Sequence, residues 1–197
     1  RQMCIRDSPR GRRRRRPAAR PRLLIILRDF LFLKHAAEGD EAAAAFDEGD
    51  AGLRRFLDFL RSGQCRTTVL AANVAPAIGS PLAPRTPNDY LQPYLLKQFG
   101  AVTVGIIGIE VSGKTMNSSR PLPGTRFLDE VDTAQETIDV LRARGIRHII
   151  LVTHQGYDAD LAMAARLTDV DAIIGGDSHT LLGDFSAIGI TASSGPY

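Results

Sequence analysis

The chain has 197 residues, a hydrophobic fraction of 44% and a formal net charge of +3, which is enough for one domain with a core of its own. No run of 18 or more apolar residues occurs, so a membrane-spanning helix is not expected. The positive charge is unevenly placed. Residues 1–35 contain twelve Arg and Lys and two Asp, whereas residues 36–197 contain 13 basic and 20 acidic residues. The body of the chain is therefore acidic.

Residues 1–45 form a low-complexity leader rich in Arg and Ala. Residues 12–16 are all Arg, and because such charge repels itself and cannot bury a core, the sequence predicts a disordered basic segment. Residues 23–33 are apolar, as in a signal peptide, but Lys34 and His35 stand where a small-residue cleavage site would be needed. A working signal peptide is therefore not expected here.

The rest of the chain alternates predicted helices and strands. Because the strands are apolar throughout, the pattern predicts a layered α/β fold whose sheets are covered by helices. No closing element is evident before the last residue, so we expect an incomplete domain. In chain order the predicted elements are a helix that Asp50 caps and Gly63 ends, a buried strand at 68–74, a Pro-rich loop at 76–87, a hairpin of strands 94–99 and 102–109, a helix at 128–144 capped by Asp132 and Thr133, a strand at 148–152, a helix at 158–167 and a strand at 171–174.

Polar residues follow the last two predicted strands at the point where each strand ends. His154 follows the strand at 148–152, and Asp177 and His179 follow the strand at 171–174 after Gly175 and Gly176. Loops at the carboxyl ends of strands are where α/β sheets bind ligands, and imidazole and carboxylate suit Zn, Mn or Fe. The two glycines would let the backbone turn sharply. The sequence therefore predicts a metal site formed by His154, Asp177 and His179.

A second pattern, at residues 108–115, fits the phosphate-binding P-loop G-x-x-x-x-G-K-[ST] and follows a predicted strand. A P-loop requires a helix that starts at the Lys-Thr pair. Residues 116–124 contain two prolines and a glycine, so we predict no helix there and do not expect a P-loop NTPase.

Five sequence motifs resemble the metallophosphoesterase domain of bacterial 5′-nucleotidases, a group that includes the periplasmic nucleotide and NAD nucleotidases. The resemblance implies an α/β/β/α sandwich, hydrolysis of nucleotide phosphate esters, two divalent metal ions such as Zn or Mn, and a periplasmic or secreted parent protein. It divides the chain into the leader at 1–45 and a partial domain at 46–197. The motifs lie at residues 46–53, 69–74, 104–108, 153–154 and 175–180.

The resemblance also assigns roles to individual residues. His154 matches a ligand of one metal ion and His179 a second histidine ligand, whereas Asp177 stands where most members have His. Asp47 matches the carboxylate that orients a catalytic histidine. Asp160, which flanks the His154 loop, is a candidate to hydrogen-bond a ligand histidine from outside the metal's own ligand set.

The chain departs from the family pattern before residue 46. Residues 42–45 are all Ala where the family has a Gly-Asn-His-Glu/Asp block, and the earlier Asp-x-His and Gly-Asp ligands are not found. We therefore expect weak or absent hydrolysis by this chain.

The abrupt change in composition suggests that residues 1–45 are not native to the fold, as translation in a wrong frame or an assembly join would produce. Sequencing the upstream DNA and translating it in all three frames tests this hypothesis. The alternative is a degenerate, non-catalytic domain whose basic leader binds nucleic acid electrostatically, although nucleic acid is not the expected partner.

Overall fold

The computed structural model describes residues 49–62, 68–86 and 89–190. The leader at 1–45 and the predicted catalytic residue Asp47 lie outside this part of the chain.

Four helices and eight strands make up the described structure. None of these helices combines the length and apolar character that crossing a membrane would require. In chain order the elements are α1 (Gly49–Ser62), β1 (Val69–Leu70), β2 (Val74–Ala75), β3 (Leu91–Gln92), β4 (Tyr94–Phe99), β5 (Val102–Glu110), α2 (Ser112–Ser119), β6 (Arg126–Phe127), α3 (Glu130–Ala143), β7 (His148–His154), α4 (Tyr157–Ala164) and β8 (Ala172–Ile174), followed by a 3₁₀ turn at Ser186–Ile188.

The central sheet has four strands in the order β4-β5-β7-β8. Strands β4 and β5 form the predicted antiparallel hairpin, whereas β5, β7 and β8 run parallel. Parallel neighbours need a crossover connection, and α3 and α4 provide it between successive parallel strands. Two short pairs, β1 with β3 and β2 with β6, complete the strand pairing described. The predicted α/β class is confirmed.

Both faces of the central sheet bury apolar side chains. One face packs against α3 and α4, and the other lies under β1. Because successive side chains of a strand point to opposite faces, odd-numbered residues of β5 face the helices and even-numbered ones face β1. The helix-side cluster comprises Ile107, Ile109, Ala134, Ile138, Leu141, Ile149, Leu151, Met163 and Leu167. The opposite cluster comprises Leu70, Ile106 and Val152.

Two predicted helix caps are wrong. Helix α3 is capped by Asp129, whose carboxylate accepts hydrogen bonds from the Val131 and Asp132 amides at 3.0 and 2.9 Å, and not by Asp132 and Thr133. Helix α1 begins before Asp50. The Asp50 carboxylate is buried and accepts a hydrogen bond from the Leu122 amide at 3.1 Å, so it joins two distant segments.

The single strand predicted at 68–74 is divided into β1 and β2 by a turn. At this turn the Ala72 amide donates to the Gly108 carbonyl at 2.8 Å. Ala72 and Asn73 therefore lie beside the end of β5 and bond to that strand. For this reason the chain does not continue in the direction of β1.

Strand β1 lies so close to β5 that only glycine fits at position 108. A Cβ added there would lie 2.4 Å from the Leu70 Cβ and 2.6 Å from its carbonyl oxygen. Backbone cannot yield as a flexible side chain can, so the two strands would have to separate.

We predict that Gly108→Ala lowers the free energy of unfolding by about 2 kcal/mol or more, because it overpacks a buried contact. Urea unfolding of the full chain, followed by circular dichroism, measures the change. The matched control is Gly113→Ala in α2, where an added Cβ meets no atom within 4 Å and the helix should gain up to about 1 kcal/mol. Equal stability of the two variants would contradict the described packing of β1 on β5.

Candidate functional site

The candidate site lies at the carboxyl edge of the central sheet. Strands β5 and β7 end there on Glu110 and His154, which are partners in the parallel register. Both residues are buried, with 4% and 6% of their surface exposed. Their side chains point to the β1 face, because they share the parity of Ile106 and Val152 in the two strands. Two buried ionisable side chains at the ligand-binding edge of an α/β sheet mark a functional-site candidate.

Asn73 fixes the end of β5. Its side-chain amide donates to the Glu110 carbonyl at 2.7 Å, and its side-chain oxygen accepts from the Glu110 amide at 2.9 Å. The residue is completely buried. Asn73 therefore continues the backbone pairing of the sheet by one residue.

The segment with the P-loop pattern folds differently from the prediction. Helix α2 spans Ser112–Ser119, so the expectation of no helix after Lys114 is wrong. The prolines lie beyond the helix, after Arg120, which ends it in the left-handed conformation with φ of 46°. Proline is common directly after such a helix end.

This segment nevertheless lacks the phosphate-binding loop of a P-loop. Strand β5 continues through Glu110 and α2 begins at Ser112, so a single residue separates strand and helix. The groups that would bind phosphate instead contact carboxylates of the chain. The Ser112 amide donates to Glu130 at 2.9 Å, the Thr115 hydroxyl donates to Glu110 at 3.0 Å, and the Lys114 ammonium pairs with Asp177.

Asp160 on α4 holds the residues on either side of His154. One of its carboxylate oxygens accepts from the Thr153 hydroxyl at 2.6 Å and from the Gln155 side-chain amide at 3.0 Å. Asp160 thus holds the two neighbours of His154, since Thr153 points to the face of β7 on which α4 packs. The hydrogen bond from Asp160 to a ligand histidine stays a prediction.

Gly175 and Gly176 are required for space and not for a sharp turn. A Cβ at Gly175 would lie 2.0 Å from an Asp160 carboxylate oxygen, and one at Gly176 would lie 2.9 Å from Cδ2 of the His154 ring. The left-handed residues of the loop are Asp177 and His179, with φ of 76° and 54°. The loop after β8 therefore packs directly against the end of β7.

Further contacts join the loops after β7 and β8. The Tyr157 amide donates to the Ser178 hydroxyl at 3.0 Å, and the Ser178 and Thr180 hydroxyls lie 2.7 Å apart. Asp177 is half-buried, and its carboxylate pairs with Lys114, whereas His179 is exposed. The structure thus places His154 at the end of β7 and Asp177 in the neighbouring loop after β8.

The three predicted metal ligands do not assemble within the described part of the chain. Over residues 49–62, 68–86 and 89–190, no three His, Cys, Asp or Glu side chains come together as a metal site requires. Asp177 already has a cationic partner, and His179 is turned toward solvent. The described residues alone do not fit a metal ion, and metal ligation by His154, Asp177 and His179 stays a prediction.

Sequence reasoning missed Lys114 as a neighbour of this site. The Gly-Lys-Thr pattern draws attention to Lys114, but it predicts that this residue binds phosphate. Its partner Asp177 is 63 positions away, and only the order of the strands brings the two together.

No protein-family model matches the chain. Two curated relatives are similar over about seven tenths of it. The probable 5′-nucleotidase of Treponema pallidum is 32% identical over 141 residues, which cover 72% of this chain and 22% of the relative. The NAD 5′-nucleotidase of Haemophilus influenzae is 36% identical over 139 residues, which cover 71% of this chain and 21% of the relative. The chain thus spans about a fifth of the length of these relatives.

Solved structures show the same fold. The NAD nucleotidase of Haemophilus influenzae matches with a TM-score of 0.65 at 33% identity, covering 77% of this chain and 25% of that one. A 5′-nucleotidase precursor from Thermus thermophilus matches with a TM-score of 0.64 at 37% identity, covering 77% and 28%. A calcineurin-like phosphoesterase from Bacillus subtilis, at 24% identity and a TM-score of 0.55 over 81% and 51%, shares the fold. The described α/β structure is therefore part of a domain that has the fold of these nucleotidase structures.

We predict that Asp160→Ala lowers the free energy of unfolding by about 2–3 kcal/mol, because two donors beside His154 lose their shared acceptor. Urea unfolding measures the loss, and hydrogen exchange of the 153–157 amides should speed up with it. Asp158→Ala is the matched control on the same helix, since that residue is exposed, and it should change stability by less than about 1 kcal/mol. A loss of the same size in both variants would show that Asp160 does not hold this loop.

Proposed function

Because the chain belongs to the 5′-nucleotidase family of hydrolases, we propose that the protein acts on the phosphate esters of nucleotides. The observation that carries the proposal is its similarity to proteins named as 5′-nucleotidases, at more than 30% identity over seven tenths of the chain. The substrate class is therefore a nucleotide, with AMP and NAD as the first compounds to test.

His154 is the residue that we propose to be most directly involved in this activity. It is buried at the sheet edge, its ring is packed against Gly176, and Asp160 holds both of its neighbours in the chain. Such support is what a side chain with a fixed role in a site requires. Asp177 and His179 are proposed to act with it, and Asp47 to orient a further group.

The two divalent metal ions implied by the resemblance belong to this proposal for the complete enzyme. Ligands in addition to the described residues would have to complete their sites. In this chain the family's Gly-Asn-His-Glu/Asp block is replaced by four alanines at 42–45. We therefore propose that the chain by itself hydrolyses nucleotides weakly or not at all.

A degenerate, non-catalytic domain is the second candidate function. The observation that favours it is the ion pair between Lys114 and Asp177, because it occupies one of the three predicted ligands.

A periplasmic or secreted parent protein is proposed from the family resemblance, and the Thermus thermophilus relative is described as a precursor.

We predict that the full chain releases phosphate from AMP in the presence of Mn²⁺ at least about 10³-fold more slowly than an intact bacterial 5′-nucleotidase, because its set of ligands is incomplete. A phosphate-release assay on both proteins at equal concentration measures the ratio, with circular dichroism to show that the chain is folded. A rate approaching that of the intact enzyme would contradict the proposed loss of activity.

The residual rate distinguishes the two candidate functions. If the chain is a weak nucleotidase, His154→Ala abolishes phosphate release, whereas His148→Ala, at the exposed start of the same strand, leaves it unchanged. A background that neither variant alters would support the non-catalytic candidate.

A further inference from the structure

The loop that follows β8 packs directly on His154. A Cβ added at Gly176 would lie 2.9 Å from Cδ2 of the His154 ring. A Cβ added at Gly156 would lie 3.7 Å from the Ser178 Cβ and 3.8 Å from an Asp177 carboxylate oxygen. The loop therefore extends across the end of β7 and the start of α4, and it contributes to the burial of His154.

An ion pair joins this loop to the other side of the site. The Asp177 carboxylate pairs with the ammonium of Lys114, which lies in the first turn of α2. Helix α2 follows β5, the loop follows β8, and the sheet order places β7 between these two strands. The pair therefore crosses the carboxyl end of β7, where His154 is located.

The α2 side of this contact is fixed by the sheet. The Thr115 hydroxyl, next to Lys114 in the chain, donates to the buried Glu110 at the end of β5, and Thr115 is itself buried. On the loop side, the Ser178 hydroxyl accepts from the Tyr157 amide at the start of α4. The ion pair thus spans from a fixed helix end to a loop that is bonded to α4.

The backbone of the loop adopts conformations that non-glycine residues rarely take. Asp177 and His179 are left-handed, with φ of 76° and 54°. Asp tolerates this region better than most residues do, but such conformations persist only where surrounding contacts compensate for them. The ion pair with Lys114 is one such contact, so its loss favours a rearrangement of the loop.

We propose that residues 175–180 form a lid over His154 and that the Lys114–Asp177 ion pair is the latch that keeps the lid closed. The Lys114 side chain is 42% exposed and that of Asp177 is 20% exposed. A pair at this depth is screened by solvent and contributes modestly to stability. The latch therefore opens far more often than the sheet beneath it unfolds, and opening makes the His154 ring accessible.

The functional meaning of the lid rests on the proposed role of His154 in nucleotide hydrolysis. A substrate that must reach His154 binds only to the open form, so its apparent affinity is reduced by the fraction of molecules that are open. Accessibility of the ring is measured without any substrate. An inactive chain and an incorrect lid therefore give different results.

The probe is diethyl pyrocarbonate, which modifies accessible histidine rings. The full chain is treated at fixed pH, and peptide mass spectrometry follows the rate of modification at each histidine. His148 is the internal reference, since it lies at the exposed start of the strand that ends on His154.

We predict that Lys114→Met raises the rate at His154 about threefold or more, as expected for the loss of a half-exposed ion pair, and leaves the rate at His148 unchanged. Lys97→Met is the matched control for loss of one positive charge, since Lys97 lies on β4 at the far side of the sheet. It should change the rate at His154 by less than about 1.5-fold. Added salt should raise this rate in the unaltered chain but not in Lys114→Met, because salt screens the pair.

Asp177→Asn removes the other charge of the latch and suits the left-handed backbone, which Asn also adopts. It should raise the rate at His154 as much as Lys114→Met does. The double variant should be no faster than either single variant, because all three lack the same contact. The lid is overturned if Lys114→Met modifies His154 no faster than Lys97→Met, or if the two single effects multiply in the double variant.

Hydrogen exchange separates opening of the lid from unfolding of the domain. In Lys114→Met the amides of residues 176–180 should exchange faster, whereas those of residues 149–152 in β7 should not. Equal acceleration of both sets would contradict a local latch. Should Lys114→Met fail to fold, as judged by circular dichroism, Lys114→Gln takes its place with the same expected rates and the same contradicting results.

Discussion

The parallel pairing of β5 with β7 is the constraint on which the rest of the site depends. Its register joins Val104 to His148 at one end and Glu110 to His154 at the other, and it fixes which side chains share a face. Because the two strands end together, the segments that follow them leave the sheet from one edge. The pairing of β7 with β8 then brings the third loop to the same edge.

This arrangement depends on close approach between backbone segments. Gly108 allows β1 to lie against β5, and Gly175 and Gly176 allow the last loop to lie against α4 and His154. A Cβ at Gly108 would meet the backbone of β1, whereas one at Gly175 would meet the Asp160 carboxylate and one at Gly176 the His154 ring. The same positions that pack the fold therefore also set the shape of the edge where His154 lies.

The charges at this edge are balanced largely within the chain. Glu110 and Asp160 accept hydrogen bonds from hydroxyls, and Asp177 pairs with Lys114. Buried or half-buried carboxylates are stable only with such partners. In a site built to bind a cation, some carboxylates would be left for the cation. Here, within the described residues, the partners are supplied by the polypeptide.

Much of the fold could be predicted from the sequence, because long apolar runs and a tight turn mark the β4–β5 hairpin and β7 without reference to the rest of the chain. Helix α2 escapes prediction because the prolines after it argue against any helix, whereas they mark where it ends. The Lys114–Asp177 pair could not be predicted, since it depends on the order of strands in the sheet. The space required at Gly175 was hidden for the same reason: its neighbour Asp160 comes from a different element.

The most direct test of the Lys114–Asp177 pair is a crystal structure of the full chain with Mn²⁺ in the crystals, using anomalous scattering to locate the metal. If Lys114 holds Asp177, the two side chains are in contact and no anomalous peak lies within bonding distance of the Asp177 carboxylate. A manganese peak about 2.2 Å from an Asp177 oxygen, a typical metal–carboxylate distance, with the Lys114 side chain displaced, would contradict this result.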